Sequence, residues 1–118
     1  MLILICGSRD WTDRKAVERE IKAHNFDPKV DVIMHGAAKG ADTCAWEIAM
    51  RLGFKVLVFK AEWDRYNKAA GPFRNQKMLD QNPDLVLAFH PNINISKGTR
   101  HMVKIAREKG VRVEVFEK

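Results

Sequence analysis

The sequence predicts an α/β domain with a doubly wound, mainly parallel sheet of five strands and about four helices. Five short apolar runs recur along the chain, and their starting positions differ by 28, 26, 29 and 26 residues. Each interval accommodates one strand, one helix and two short loops. The segments between the runs carry apolar residues at helical spacing, so strands and helices alternate. Such alternation favours right-handed crossovers and a parallel sheet that is covered on both faces.

The five predicted strands differ in their apolar pattern. In chain order they span residues 2–6, 30–34, 56–59, 85–89 and 111–116. The first four are nearly continuous apolar runs, which is typical of strands buried on both faces. The fifth alternates between valine and charged residues, as in Val111, Arg112 and Val113, which predicts an edge strand. The pattern therefore indicates an open, Rossmann-like sheet.

Four helical segments separate these strands. They are marked in chain order by Val17 and Ile21, by Ile48 and Leu52, by Met78 and Leu79, and by Met102 and Ala106. Thr12 is the predicted N-cap of the first helix. The third helix is predicted to begin after Gly71 and Pro72.

Length and composition indicate a single globular domain over residues 1–118. The chain is 46% hydrophobic and 31% charged, which is ordinary for a folded domain. No apolar run approaches the roughly 18–20 residues that span a bilayer, so no membrane partner is predicted. With only two cysteines, Cys6 and Cys44, we expect no disulfide framework and a cytoplasmic location. The net charge of +6 attracts phosphorylated ligands and other polyanions.

The loops that follow the strands are the expected ligand site, because an open parallel sheet binds ligands beyond the carboxyl ends of its strands. Gly36 and Gly40 bracket a turn before the second helix, and Gly98 lies in a similar turn before the fourth. Glycine lets the backbone approach an anion, and a helix N-terminus favours negative charge. We expect both turns to converge on one phosphate, although each alone also fits a simple tight turn. Neither matches a dinucleotide fingerprint or a Walker A loop, and no cofactor is predicted.

Other loop side chains allow two interpretations. Trp11 and Trp63 either stack on a base or sugar, or cover the core beneath a loop. Asp42 either holds a sugar hydroxyl or complements the N-terminus of its helix. Glu62 and Asp64 either contact ribose or are solvated charges.

Three potential metal ligands also end strands, namely Cys6, His35 and His90. Isolated His and Cys side chains at such positions are more often packed or hydrogen-bonded than bound to a metal. No metal site is therefore predicted.

The loop motifs follow one another in a recognisable order. They are Gly7-Ser8-Arg9-Asp10-Trp11, His35-Gly36 with Gly40-Ala41-Asp42, Ala61-Glu62-Trp63, Ala70-Gly71-Pro72 with Arg74-Asn75, and Ser96-Lys97-Gly98-Thr99. This order resembles the SLOG superfamily, in its short YspA-like branch, which is related to DprA/Smf and to the Lonely Guy (LOG) phosphoribohydrolases. The resemblance covers nearly the whole chain.

The resemblance implies a pocket for a nucleotide or nucleotide derivative at the carboxyl edge of the sheet. Arg74 resembles the arginine that follows the third strand in LOG enzymes, and Gly98 and Thr99 resemble the GT of their PGGxGTxxE motif. The glutamate of that motif falls on Met102. Together with the loop positions, the resemblance implies a ligand-binding set of Gly7, Ser8, Arg9, Trp11, His35, Gly36, Gly40, Asp42, Trp63, Arg74, Asn75, Ser96, Lys97, Gly98 and Thr99. The candidate catalytic residues are Glu62, Arg74 and Asp42.

Three functions are compatible with these residues. The first is binding of a nucleoside phosphate or an ADP-ribose-like ligand, in nucleotide sensing or processing. The second is a LOG-like hydrolase that cleaves the N-glycosidic bond of a nucleoside monophosphate, which needs a carboxylate beside the ribose. The third, by resemblance to DprA and from the net charge of +6, is binding of single-stranded nucleic acid; it ranks third because the basic residues surround one crevice and form no long stripe along a helix. The resemblance also implies a homodimer.

Overall fold

The computed structural model describes residues 1–91 and 97–117, which form one parallel sheet with helices on both faces. The strands are β1 (Leu2–Gly7), β2 (Val32–His35), β3 (Lys55–Val58), β4 (Leu85–Phe89) and β5 (Arg112–Phe116). The helices are α1 (Arg14–Ala23), α2 (Ala41–Leu52), the single turn α3 (Trp63–Tyr66), α4 (Ala70–Leu79) and α5 (Lys97–Lys109), with a 3₁₀ turn at Asn67–Ala69. The predicted α/β fold class is confirmed.

The strand order is β3-β2-β1-β4-β5, and all four strand pairs are parallel. The chain moves outward from β1 to β3 and then returns to pair β4 with β1. The order therefore reverses between β1 and β4, which makes their carboxyl ends the topological switch point. The predicted edge position of β5 is confirmed, and β3 forms the other edge.

Two apolar cores lie on opposite faces of the sheet because successive side chains of a strand point to opposite sides. Ile3 and Ile5 of β1 belong to the core beneath α1 and α2. Leu4 and Cys6 belong to the core beneath α4 and α5. Cys6 and Cys44 are both buried and unpaired. A ligand site above the sheet edge is thus supported from both sides by packed helices.

Three predicted boundaries differ most from the structure. The second strand begins at Val32 because the amides of Val30 and Asp31 both bond to the carbonyl of Asp27 in a turn. Asp13, not Thr12, caps α1, since its carboxylate accepts a hydrogen bond from the Ala16 amide at 3.0 Å.

The third boundary concerns the helical segment after β3. It begins at Trp63 instead of after Pro72, and α4 contains Pro72 in its first turn. Proline is tolerated there because the first amides of a helix have no intrahelical acceptor. Across the two described ranges, no helix is long and apolar enough to cross a membrane.

Candidate functional site

A cavity of about 840 Å³ lies at the carboxyl edge of the sheet. Among the residues that the structure describes, those that line the cavity come from the loops after β1, β2 and β3, from α4 and from the start of α5. The cavity therefore covers the switch point between β1 and β4. The predicted ligand-binding residues that line it are Gly7, Ser8, Arg9, Gly36, Asp42, Trp63, Arg74, Asn75, Lys97, Gly98 and Thr99.

The two glycine-containing turns meet at this cavity. Gly36 lines it from the loop after β2, and Gly98 and Thr99 line it from the first turn of α5. They lie on the same side of the molecule, as the sequence predicts. Ser96, which the sequence places in the second turn, lies outside the described residues.

The amides of the first turn are already bound within the protein. One carboxylate oxygen of Asp42 accepts hydrogen bonds from the N–H groups of Gly36 at 3.0 Å and Ala38 at 3.2 Å. Between them, the Ala37 N–H donates to Nδ1 of His35 at 2.9 Å. These three amides hold the turn in shape. Asp42 lies in the first turn of α2, and its carboxylate also stabilises the preceding turn. Its contact with a sugar hydroxyl stays a prediction.

Gly40 lies at the end of the same loop, directly before α2. Its φ of 80° is in the left-handed region, where glycine is favoured. A Cβ there would collide with the carbonyl oxygen of Ser8 and lie 2.6 Å from the carbonyl carbon of Arg9. The Ala41 amide also donates to the Ser8 carbonyl at 3.1 Å. Gly40 packs the α2 N-terminus against the β1–α1 loop and is not part of the cavity lining.

Asp42 and Arg74 both bind Gly36, and their opposite charges interact. Asp42 is only 4% exposed, and this burial raises its pKa to about 6, against the opposing effects of the Ala38 amide, the Arg74 charge and the Gly36 amide. Burial lowers the pKa of Arg74, while the charge of Asp42 raises it. Arg74 Nη1 donates to the Gly36 carbonyl at 3.0 Å. The pair thus fixes Gly36 through both its N–H and its carbonyl.

Asn75 connects α4 to the beginning of α5. Its side chain is 4% exposed, and its Nδ2 donates to the Gly98 carbonyl at 3.3 Å and lies 3.1 Å from Nδ1 of His101. Since α4 also supplies Arg74, one helix positions both glycine-containing turns.

The cavity lining carries a strong excess of positive charge. Its cationic residues are Arg9, Lys39, Lys60, Lys68, Arg74 and Lys97. Among the described lining residues, Asp42 is the one carboxylate, and it is next to Arg74. Lys60 is absent from the predicted site, although it directly follows the apolar run at 56–59.

The aromatic residues divide between the cavity and the core. Trp63 lines the cavity with 47% of its surface exposed, and the guanidinium carbon of Arg9 lies 5.9 Å from its ring centroid, within the range of a cation–π interaction. Trp11 is 4% exposed, packs 5.5 Å from the Phe89 ring and donates Nε1–H to the Asp13 carbonyl at 3.0 Å. The structure therefore places Trp11 in the core, contrary to its expected position at the ligand.

His35 also lies away from the cavity. It is fully buried, and its ring centroid lies 4.9 Å from that of Trp46 in α2, on the opposite face of the sheet from Cys6. Burial lowers the pKa of His35 to about 4, so the ring is neutral near pH 7. Nδ1 accepts the Ala37 amide, which gives His35 a structural role in the first turn.

Comparison with known proteins identifies the family. A model of the YspA, cpYpsA-related SLOG family (YAcAr) matches residues 1–66, more than half of the chain. The chain belongs to this SLOG family. The matched region includes β1, β2, β3 and the loops that follow them. It therefore contains the turns around Arg9 and Gly36.

A phage relative extends the similarity over almost the whole chain. The Gene 61 protein of Mycobacterium phage D29 is 38% identical over 120 residues, which cover 97% of this chain and 94% of the phage protein. No solved structure matches the chain significantly.

The remaining candidate positions of this SLOG domain are Met102, Glu62 and Asp64. Met102, at the position of the LOG glutamate, is 1% exposed and forms part of the apolar cavity floor. Glu62 is exposed just before α3 and does not line the cavity, and neither does Asp64. Within residues 1–91 and 97–117, no group of three or more His, Cys, Asp or Glu side chains is arranged to hold a metal ion.

Proposed function

We propose that this SLOG domain binds a nucleotide or nucleotide-derived ligand, such as a nucleoside phosphate or an ADP-ribose-like molecule, and acts in nucleotide sensing or processing. One observation carries the proposal: a cavity of about 840 Å³ lies at the switch point with six cationic side chains and one carboxylate in its described lining. Its size falls within the range of roughly 300–1,000 Å³ typical of small-molecule sites. Its charge favours phosphate over a neutral or cationic ligand.

The lining supplies a partner for each part of such a ligand. Arg9 and Lys97 offer charge-assisted hydrogen bonds to phosphate oxygens. Trp63 offers an exposed indole face to a base, and an anionic ligand would compete with that indole for the Arg9 guanidinium. Met78 and Met102 form an apolar floor. Arg74 supports the turn beneath the ligand, because one of its nitrogens is already bound to Gly36.

The test is a ligand titration of the purified protein after extensive dialysis. Nucleoside mono-, di- and triphosphates and ADP-ribose are added, with the unphosphorylated nucleosides as matched controls. We expect the phosphorylated compounds to raise the melting temperature, because a ligand stabilises the folded state by RT ln(1 + [L]/Kd). The nucleosides should have a much smaller effect. The absence of any shift at millimolar concentration of every phosphorylated compound would contradict the proposal.

The arrangement of carboxylates favours binding over glycosidic hydrolysis. A hydrolase of the LOG type needs a carboxylate near the departing base. Asp42, the carboxylate in the described lining, is 4% exposed and accepts two backbone amides. Hydrolysis is tested by incubating nucleoside monophosphates with the protein and separating the products by chromatography. Release of free base that is absent from a control without protein would support turnover.

A further inference from the structure

We propose that the ligand carries at least two phosphate groups and lies along the sheet edge from the end of β3 to the end of β4. This inference rests on the proposed function and names its ligand class more narrowly, as nucleoside diphosphates and larger nucleotides. Lys60, after β3, and Lys97, at the start of α5, are the residues that select such ligands over monophosphates.

The cationic side chains follow the order of the strands. Lys60 comes after β3, Lys39 after β2, Arg9 after β1 and Lys97 after β4. All four line the same cavity. Neighbouring strands are about 4.8 Å apart, so the ends of β3 and β4 are separated by roughly 14 Å. A single phosphate group reaches only part of this row of cations, whereas each further phosphate extends the anionic chain along it.

The charge balance of the lining leads to the same ligand class. Arg74 and Asp42 both bind Gly36, and their opposite charges offset each other in the charge balance of the lining. Five cations remain: Arg9, Lys39, Lys60, Lys68 and Lys97. Within the described ranges, none of the five forms an ion pair with a carboxylate. A terminal phosphate supplies only about −1.5 to −2 charges at neutral pH, so one group leaves most of this positive charge unbalanced.

The cavity volume also suits a larger ligand. At about 840 Å³ it lies in the upper part of the range of roughly 300–1,000 Å³ for small-molecule sites. Met78 and Met102 add an apolar part to the lining, and the cationic side chains supply charged contacts for the anionic groups of a ligand.

The experiment compares a series of ligands that differ only in phosphate number. Adenosine, AMP, ADP and ATP are titrated in the presence of EDTA at fixed ionic strength, and a guanosine series is run in parallel to separate base preference from charge preference. We expect ADP and ATP to bind about tenfold or more tightly than AMP, and their affinity to fall more steeply with added salt.

A double variant tests the two ends of the cavity. Lys60→Gln with Lys97→Gln should reduce the preference for ADP over AMP several-fold. The control is Lys55→Gln with Lys104→Gln, which alters exposed lysines of β3 and α5 outside the cavity lining and lowers the net charge by the same amount. The control should keep the wild-type preference.

The outcomes separate this inference from the proposed function. Equal affinity for AMP, ADP and ATP would overturn the selection by phosphate number and leave nucleotide binding intact. An unchanged preference in the Lys60/Lys97 double variant, with folding verified by its melting temperature, would overturn the role of the two lysines. Failure of every nucleotide to bind would overturn the proposed function itself, and this inference with it.

Discussion

The Arg74 side chain lies directly against the backbone of Gly36. Nη1 donates to the Gly36 carbonyl at 3.0 Å, and a Cβ at position 36 would lie 2.8 Å from the Arg74 Cδ. A side chain at position 36 and the observed Arg74 conformation are therefore mutually exclusive. This contact joins α4 to the loop after β2, although the two residues are 38 positions apart in the chain.

Gly36→Ala should destabilise the domain and weaken ligand binding. The added methyl group displaces Arg74 from the Gly36 carbonyl and from Asp42, and overpacking of this kind costs about 1–3 kcal/mol. Urea denaturation measures the free energy of unfolding, and nucleotide titration measures the binding. Gly71→Ala is the control, because a Cβ there meets only the Trp63 ring at an ordinary contact distance of 3.5 Å. Equal stability of the two variants would contradict the prediction.

The pH dependence of folding should contain a contribution from Asp42. Its pKa is about 6 in the folded state against an ordinary value of 3.8, so the folded state binds this proton more tightly than the unfolded chain. The stabilisation is complete below about pH 4 and is lost as the pH rises through about 6. The difference amounts to roughly 3 kcal/mol.

Asp42→Asn should remove that contribution. We expect the difference in unfolding free energy between the wild type and the variant to change by roughly 3 kcal/mol between about pH 4 and 7. His35, whose pKa is lowered to about 4, contributes an opposite rise with pH to both proteins, and this rise cancels in the difference. Denaturation at a series of pH values measures it, and the exposed Asp64→Asn should retain the wild-type slope. An unchanged slope in Asp42→Asn would mean that another group causes the pH dependence.

Trp63 should produce most of the ligand-induced change in tryptophan fluorescence. It is the tryptophan that lines the cavity, and ligand phosphate should draw Arg9 away from its ring. Trp63→Phe should therefore lose most of the signal, while thermal melting still reports binding. Trp46→Phe is the matched control, since Trp46 packs against His35 and does not line the cavity. A full signal in Trp63→Phe would place the ligand elsewhere.

Trp11 should act through stability and not through ligand contact. Trp11→Ala should lower the free energy of unfolding by about 3–5 kcal/mol because it leaves a cavity beside Phe89. Trp11→Phe keeps an aromatic ring but loses the hydrogen bond to the Asp13 carbonyl, at a cost of about 1 kcal/mol. Chemical denaturation checks both values. Nucleotide affinity should remain at the wild-type level in Trp11→Phe, and a large loss of affinity would contradict the assignment to the core.

The sequence predicts one of the two edges of the sheet, because only β5 carries an alternating pattern; the other edge, β3, is an apolar run like the inner strands. The alternating run from Val111 marks β5 as an edge strand, and the structure places it there. The helix start is less well predicted: Thr12 and Asp13 are both good capping residues, and only the backbone path shows that Asp13 reaches the Ala16 amide.

The candidate site is predictable by region but not by side chain. Trp11 and Trp63 both follow a strand, yet Trp11 turns into the core and Trp63 faces the cavity. The sequence does not indicate that the Asp42 carboxylate accepts two amides of the preceding turn, because that contact depends on how the turn folds back on α2. The sequence also does not indicate that Lys60 lines the cavity, because that position depends on β3 lying beside β2 at the edge of the sheet.

By itself, the sequence determined the alternation of strands and helices, the SLOG family and the loops from which the site is built. These features follow from local apolar periodicity and from motifs that are short, contiguous segments of the sequence. Only the tertiary structure decided which side chains meet, because that depends on the strand order β3-β2-β1-β4-β5 and on contacts such as Arg74 with Gly36. Packing between distant segments determines which polar groups are used within the protein and which remain directed into the cavity.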